Sequence, residues 1–439
     1  MLSVLHNRTY RHLFTAQVIA LIGTGLATVA LGLLAYDLAG QNAGAVLGTA
    51  LAIKMIAYVG VAPVAAAIAE RLPRRAMLVS LDLVRALVAV ALPFVSEVWQ
   101  VYVLIFVLQS ASAGFTPTFQ ATIPDVLPDE EDYTNALSLS RLAYDLESLL
   151  SPILAAILLT VISFHSLFAG TVVGFLASAA LVASATLPSP KPTERRGIYD
   201  RTTRGLRIFL ATPRLRGLLA FDLAVAAAGS MVIVNTVVIV QAQFGLTPRS
   251  TALALAAFGG GSMVTAFFLP RVLRTVSDRS AMLAGCMLLL AGLVIGLTVR
   301  SYEPLLALWF ALGIGYSMVL TPSGRLLRKS AQPEDRPSLF AAQFALSHAC
   351  WLITYPLAGW FGAAFGLTST FTVLAAIAGL SLLLAVRFWP ATDPDSVEHS
   401  HEGLAPEHAH WREGKSAGER RHSHPFVIDN HHSQWPHVR

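Results

Sequence analysis

The sequence predicts an all-α membrane protein whose twelve transmembrane helices fall into two pseudo-symmetric six-helix halves. Three observations predict it. Of the 439 residues, 55% are apolar and only 13% charged, and the mean hydropathy is +0.61, a balance unsuited to a soluble globule with a charged surface. Twelve apolar windows are each long enough, at about 20 residues, to cross a bilayer. Finally, the stretch from Thr116 to Pro152 has an echo beginning at Thr321. An offset of 205 residues aligns Thr116-Pro117 with Thr321-Pro322, Pro128 with Pro333 and Asp129 with Glu334, which marks an internal repeat.

The windows run 13–37, 43–69, 76–96, 99–119, 135–162 and 166–186 in the first half, then 216–243, 251–270, 281–299, 304–322, 338–366 and 368–389 in the second. Uninterrupted apolar runs of this length are helices, because barrel strands alternate. The first window lacks the short apolar core and cleavage site of a signal peptide and counts as a span. The chain therefore divides into an N-terminal half (1–186), a central loop (187–215), a C-terminal half (216–389) and a tail (390–439). In each half a helix is expected to end near the Thr-Pro, a polar loop to follow, and a polar-studded helix to re-enter the membrane.

Of 31 Lys and Arg residues, 21 fall at the N-terminus, in the even-to-odd connectors and at the end of the last span, against 2 (Arg249, Arg300) on the opposite side, with 3 inside spans and 5 in the tail. This places both termini in the cytoplasm. It also accounts for the net charge of +5, so the positive balance implies membrane lipid as a partner and no nucleic acid. The two cysteines, Cys286 and Cys350, sit within predicted spans, which excludes a disulfide framework. No phosphate-binding glycine loop, nucleophile elbow or zincin motif occurs, and no enzymatic activity is expected.

Taken in order, span 1 carries Gly23 and Gly25, which permit close helix packing. Span 2 contains Lys54 roughly 16 Å from its outer end, near the bilayer centre. An intramembrane ammonium is costly unless paired, and points to the transport path. Asp82 and Arg85 on span 3 share a helical face and read as a structural ion pair. Span 5 carries Arg141, Asp145 and Glu147. The first two are i,i+4 neighbours that neutralise each other, whereas Glu147 lies about 200° around the helix and needs another partner. Both carboxylates sit about 15–18 Å deep. At the repeat offset, span 11 presents His348 and Cys350 opposite Ala143 and Asp145. A carboxylate, an imidazole and a thiol around one cavity would suit a borderline divalent metal. As a structural alternative, His348 is a satisfied core residue and Cys350 a small apolar filler. The central loop opens Pro-rich and continues as an amphipathic basic helix around Tyr199–Leu210. Asp222, Asn235, Gln241 and Gln243 put polar groups on span 7 without identifying a substrate, and Gly259-Gly260-Gly261 allow close packing of span 8.

The tail holds nine of the 13 histidines: His399, His401, His408, His410, His422, His424, His431, His432 and His437. Set among Pro, Gly, Ser and acidic residues, they read as a disordered metal-binding tract. Imidazoles with a few carboxylates favour Ni²⁺, Cu²⁺, Zn²⁺ or Co²⁺, and the absence of tail Cys and Met argues against a dedicated Cu(I) site.

Between spans 2 and 3 stands Ala66-x-x-x-Glu70-Arg71-Leu72-Pro73-Arg74-Arg75. It resembles the loop signature Gly-x-x-x-Asp-Arg-x-Gly-Arg-Arg of the major facilitator superfamily, with both glycines replaced. The resemblance implies the major facilitator fold. It also implies that Glu70, Arg71, Arg74 and Arg75 tie the loop to neighbouring helix ends and set the balance between inward-open and outward-open states. Positive-inside anchoring alone would also explain the arginines. The twelve spans, the 116–152 segment and the histidine tail together resemble the nickel-resistance permeases of the NreB type within that superfamily. That resemblance implies efflux of Ni²⁺, or of Co²⁺, across the bacterial inner membrane by a monomer, with H⁺ as coupling ion and no cofactor. It also implies a transport path holding Lys54, Arg141, Asp145, Glu147, His348 and Cys350. Two other readings stay open: a drug or siderophore exporter on the same scaffold, and a non-transporting membrane sensor or buffer of metal.

Overall fold

The computed structural model describes residues 2–39, 43–69, 72–188, 198–393, 396–400, 415–418, 421–429, 432 and 434–436. Glu70 and Arg71 lie outside the described residues, as do His401, His408, His410, His431 and His437, and His399 enters only as a backbone position. The first six helices are α1 (Arg8–Ala39), α2 (Ala43–Ala69), α3 (Arg74–Ala91), α4 (Val98–Val126), α5 (Glu130–Leu158) and α6 (Phe164–Ser184). The amphipathic α7 (Ile198–Ala211) connects them to α8 (Pro213–Val237), α9 (Pro248–Val272), α10 (Asp278–Gly296), α11 (Tyr302–Lys329), α12 (Arg336–Pro356) and α13 (Gly362–Phe388). The twelve predicted spans are therefore α1–α6 and α8–α13.

Among the described residues, nine helical stretches are long and apolar enough to cross a membrane, the last of them running through α12 and α13. α5 is not among them, and the fully described part of α2, Ala52–Ile68, is an apolar helix. α5 fails because its acidic first turn and its three midspan charges break the apolar run.

The helix ends correct one expectation. α4 and α11 do not stop at their Thr-Pro pairs. Pro117 and Pro322 lie inside them, and the helices continue to Val126 and Lys329. Hydropathy ends where polar residues begin, but a helix leaving the bilayer keeps its backbone hydrogen bonds. α5 in turn starts earlier than expected. Its N-cap Asp129 accepts from the Glu131 and Asp132 amides, and three acids in the first turn suit the positive end of the helix dipole.

The first half has two apolar clusters, one around Leu26, Val101 and Phe168, the other around Tyr10, Phe115 and Tyr133. The second half has one large core, mainly between Ile208 and Trp389, and a small separate cluster of Leu269, Leu273 and Ala281. A small cluster of Ala62, Ala66 and Ala113 against Ala341 and Phe344 joins the halves. In the second half, α9 and α11 approach so closely that a Cβ on Gly261 would lie 2.0 Å from the Phe310 carbonyl, and one on Gly313 would lie 1.9 Å from the Phe258 carbonyl. α8 and α12 each end in a π-helical segment, Val238–Gln243 and Leu357–Phe361, and Asn235 donates to the Ala358 carbonyl at 3.0 Å. The turn between the last two spans is made at Gly366 (φ 81°, ψ 167°), a backbone region that is essentially glycine-only.

The tail, expected to lack fixed structure, contains β1 (Val397–Ser400), β2 (Lys415–Gly418) and β3 (Arg421–His424) in an antiparallel sheet of order β1-β3-β2. The register sets His399 opposite His422.

Replacing Gly366 with Ala should cost about 1–3 kcal/mol through backbone strain. Gly379→Ala, whose Cβ would meet Leu290 only at ordinary contact distance of 3.8 Å, should be near neutral. Thermal unfolding of the purified protein in detergent checks both, and equal melting temperatures for the two variants would refute the assignment.

Candidate functional site

Two polar clusters cross between the halves at mid-helix. In the first, Arg141 of α5 reaches one turn along its own helix and holds both oxygens of Asp145, Nε donating to Oδ2 at 3.2 Å and Nη2 to Oδ1. Ser262 of α9 completes the pair, its hydroxyl donating to Asp145 Oδ2 at 2.6 Å and accepting from Arg141 Nε at 3.2 Å. The guanidinium also stands 4.9 Å from the ring centroid of Tyr316 on α11, a cation–π arrangement. Asp145 is 3% exposed. An i,i+4 pair thus becomes an inter-half joint by recruiting one hydroxyl and one ring from the other half.

In the second cluster, the Lys54 ammonium of α2 lies 5.5 Å from the centroid of Tyr58. The Tyr58 hydroxyl donates to Gln109 Oε1 of α4 at 2.9 Å, and its ring meets His348 of α12 edge-on at 4.7 Å. His348 Nδ1 lies 2.7 Å from the Phe344 carbonyl. That contact requires Nδ1 to carry the proton, which leaves Nε2 as a lone-pair donor. The Lys54 charge acts on both Glu147 and His348. Glu147 faces α1, where a Cβ on Gly25 would sit 2.7 Å from its Oε1 and 2.0 Å from the Ser151 hydroxyl. Glu147 therefore has the different surroundings from Asp145 that their helical spacing predicts.

The residues expected along one path separate into three groups. Lys54, Glu147 and His348 form one, and Arg141 with Asp145 another. Cys350 belongs to a third, buried in the second half within electrostatic reach of Asp222. Sequence reasoning gave Ser262, Tyr316, Tyr58 and Gln109 no role, because neutral polar residues inside apolar runs carry no distinguishing signal. Asp222 was visible as an acid in a span. Its Oδ2 accepts from Gln343 Nε2 of α12 at 2.8 Å.

One end of the bundle, the basic end, is closed by ionic contacts between the two repeat-related connectors. Asp125 at the end of α4 is shared by Arg74 of α3 and Arg336 of α12. Arg325 reaches Glu130 and, at 3.0 Å, Asp278, and donates to Thr134 at 2.8 Å. Arg328 donates to the Pro128 carbonyl, and the Tyr133 hydroxyl donates to the Gly324 carbonyl at 3.2 Å. Arg74 of the loop signature is thus tied to a neighbouring helix end, while Arg75 is exposed. Arg204 of α7 grips Asp335 with two nitrogens, Nη2 to Oδ2 at 2.7 Å. The expected ion pair of Asp82 and Arg85 is present on α3, with Ser178 donating to Asp82 at 2.7 Å.

At the same end the tail brings His422, His424 and His432 together, with one ligand atom of each within 4.8 Å of the others. Three nitrogens on one cation at about 2.1 Å stand about 3.4 Å apart, a gap that side-chain rotation closes. Two of the imidazoles have second partners. His432 Nδ1 lies 2.9 Å from Asp429 Oδ1 and His424 Nδ1 lies 2.9 Å from the Pro425 carbonyl, contacts of the kind that fix a ring's orientation. The segment is seated by Phe426 and Ile428, which join the core of the second half, and by Trp435, 5.1 Å from the Arg214 guanidinium.

A family model described as Major Facilitator Superfamily matches residues 13–232 and 219–428. The MFS-type transporter YfiS of Bacillus subtilis (strain 168) is 24% identical over 297 residues, 64% of this chain and 69% of that protein. Macrolide efflux protein A of Streptococcus pyogenes is 24% identical over 181 residues, 40% of this chain and 44% of that one. Among solved structures, the human organic anion transporter MFSD10 (TETRAN) superposes with a TM-score of 0.74 at 13% identity, covering 86% of this chain and 99% of that one. A bacterial homologue of the iron transporter ferroportin in an outward-facing state gives 0.69 at 15%, covering 86% and 97%.

Arg141→Gln should strand a buried carboxylate and cost about 3–5 kcal/mol. Adding Asp145→Asn should recover much of that loss, because the charge is then gone. A double-mutant cycle on thermal unfolding reads the coupling, and additive losses would show that the two groups do not form a unit.

Proposed function

The chain belongs to the major facilitator superfamily, and from that premise we propose that it exports a divalent transition metal, Ni²⁺ or else Co²⁺, across the bacterial inner membrane in exchange for protons. The observation that carries the reading is the convergence of His422, His424 and His432 on the basic end, which we take as the cytoplasmic face. A carrier of organic molecules has no use for three imidazoles aimed at one point. Neutral imidazoles suit Ni²⁺, Co²⁺, Cu²⁺ and Zn²⁺. Three protein ligands leave coordination positions open, which favours handing the cation on over trapping it.

Within the bundle, Glu147 and His348 Nε2 supply the next ligands. Lys54 neutralises Glu147 while no substrate is bound and is displaced in effect when a dication arrives. Arg141, fully engaged by Asp145, Ser262 and Tyr316, serves as the joint on which the halves rock. The basic-end ion pairs then separate in the inward-open state and re-form when the opposite side opens. Inner-membrane placement with cytoplasmic termini follows from the positive-inside distribution.

The likeness to a macrolide efflux protein favours a second reading, export of an organic compound. Inside-out vesicles with an imposed pH gradient separate the two. Metal export requires gradient-dependent accumulation of Ni²⁺ or Co²⁺, whereas macrolide or dye accumulation without metal overturns it. His422→Ala, His424→Ala and His432→Ala combined should remove one metal-binding event from the purified full-length protein and reduce transport at low metal, leaving the rate at saturating metal largely unchanged. Loss at every concentration would instead put the three histidines within the obligatory path.

A further inference from the structure

Asp222 and Gln343 form a pair that is incomplete in a particular way. Asp222 is 2% exposed and lies about nine residues, or about 14 Å, into α8, near the bilayer midplane. Gln343 Nε2 satisfies Oδ2, but Asp222 Oδ1 and Gln343 Oε1 are both buried without a hydrogen-bond partner. Both orphans are acceptors, and unmet acceptors on a hydrogen-bonded pair deep in an apolar bundle call for a donor or a positive species.

The internal repeat shows that the scaffold does not require a carboxylate here. The offset of 205 carries Asp222 onto Gln17, on the first helix of the other half. There Gln17 Oε1 accepts from Ser140 of α5 at 3.0 Å, so each half cross-links its first and fifth spans through a polar pair. In the N-terminal half a neutral amide does this, and Gln17 leaves no orphan atom. In the C-terminal half an acid does it and leaves two. The partner changes with it: the offset carries Gln343 onto Ser138 and Ser140 onto Ala345, so the polar link is kept between the same two spans while its chemistry changes from neutral to acidic.

We infer that Asp222 is a cation-exchange carboxylate of the C-terminal half, holding through Oδ1 and Gln343 Oε1 a proton or the transported cation in alternation. This rests on the export reading for the second cation and not for the first. The ionisable groups within electrostatic reach are Tyr316 on α11 and Cys350 on α12. Tyr316 also lies beneath Arg141. Occupancy at Asp222 is thereby communicated to the joint between the halves. When Asp222 takes a proton, its O–H bond forms at Oδ1 and points at an amide whose carbonyl is waiting. When a metal arrives, that proton leaves to solvent as the metal–oxygen contact forms, so a charge of +1 is exchanged for +2 and the net charge at Asp222 rises by one.

Asp222→Asn is the test, because an asparagine amide donates to Gln343 Oε1 and completes the pair in the manner of the other half. At alkaline pH, where the parent's Asp222 is ionised and Gln343 Oε1 lacks a donor, the full-length variant should melt about 2–4 °C higher than the parent, and at acidic pH it should lose the infrared band of a protonated carboxyl in substrate-free protein. With Ni²⁺ added in weak buffer it should release about one proton fewer, and pH-gradient-driven accumulation should fall at least tenfold. Asp222→Glu should restore proton release. An unchanged or lower melting temperature together with parental proton release overturns the inference. If the parent moves no Ni²⁺, Co²⁺ or Zn²⁺ at all, the export reading falls. The melting and infrared results then decide Asp222 by themselves: their presence upholds it as a proton site and their absence refutes it.

Discussion

Burying the Arg141 guanidinium in an apolar bundle is the constraint from which the meeting of the halves follows. Withdrawing such a charge from water costs several kcal/mol even after relaxation, and Asp145 on the same helix returns only part of it. The remaining hydrogen-bonding capacity has to come from elsewhere. Ser262 and Tyr316 provide it, so α5 must lie against α9 and α11 together. Gly261 and Gly313 allow α9 and α11 to stand close enough for one guanidinium to touch both. A charge that is unfavourable by itself thereby fixes which helices are neighbours.

The basic end obeys different energetics. Its contacts are numerous but largely wet: Arg274 and Glu131, and the Glu130 carboxylate of the Arg325 pair, are well exposed. Exposed pairs of this kind contribute about 0–1 kcal/mol each. A seal made of several weak contacts closes firmly as a set and opens without a large barrier, which is what alternating access requires. A drier grip at this end, Arg204 on Asp335, holds the connecting helix α7 to α12 inside the second half and need not break when the halves part.

The fold was legible in the sequence because its signals are summed over about 20 residues at a time. Apolar length, the 205-residue offset and the lopsided arginines each average over local noise. The site was legible only where a charge interrupts an apolar run. Lys54, Arg141, Asp145 and Glu147 announced themselves in that way, and the angular separation of Asp145 from Glu147 followed from helical geometry. Their partners did not, since Ser262, Tyr58 and Gln109 are ordinary residues for a membrane helix. Helix ends were misread at Pro117 and Pro322 because hydropathy reports the bilayer boundary and not the last backbone hydrogen bond. In the tail, composition revealed the ligand type but not which histidines converge. That depends on Phe426 and Ile428 finding the core of the second half, a tertiary event with no local signature.

The two halves share a plan but differ in how completely they satisfy it. On α1, Gln17 accepts from Ser140, and on α3 the buried Asp82 and Arg85 neutralise each other with Ser178 beside them. On α8, the repeat-related Asp222 has one oxygen with no donor and no cationic side chain hydrogen-bonded to it. A buried polar network that is fully satisfied rigidifies its surroundings, whereas a partly satisfied one is costly and persists only where the missing partner arrives from outside. The second half carries the incomplete acid, the π-helical interruptions after α8 and α12, and the seat of the histidine tail.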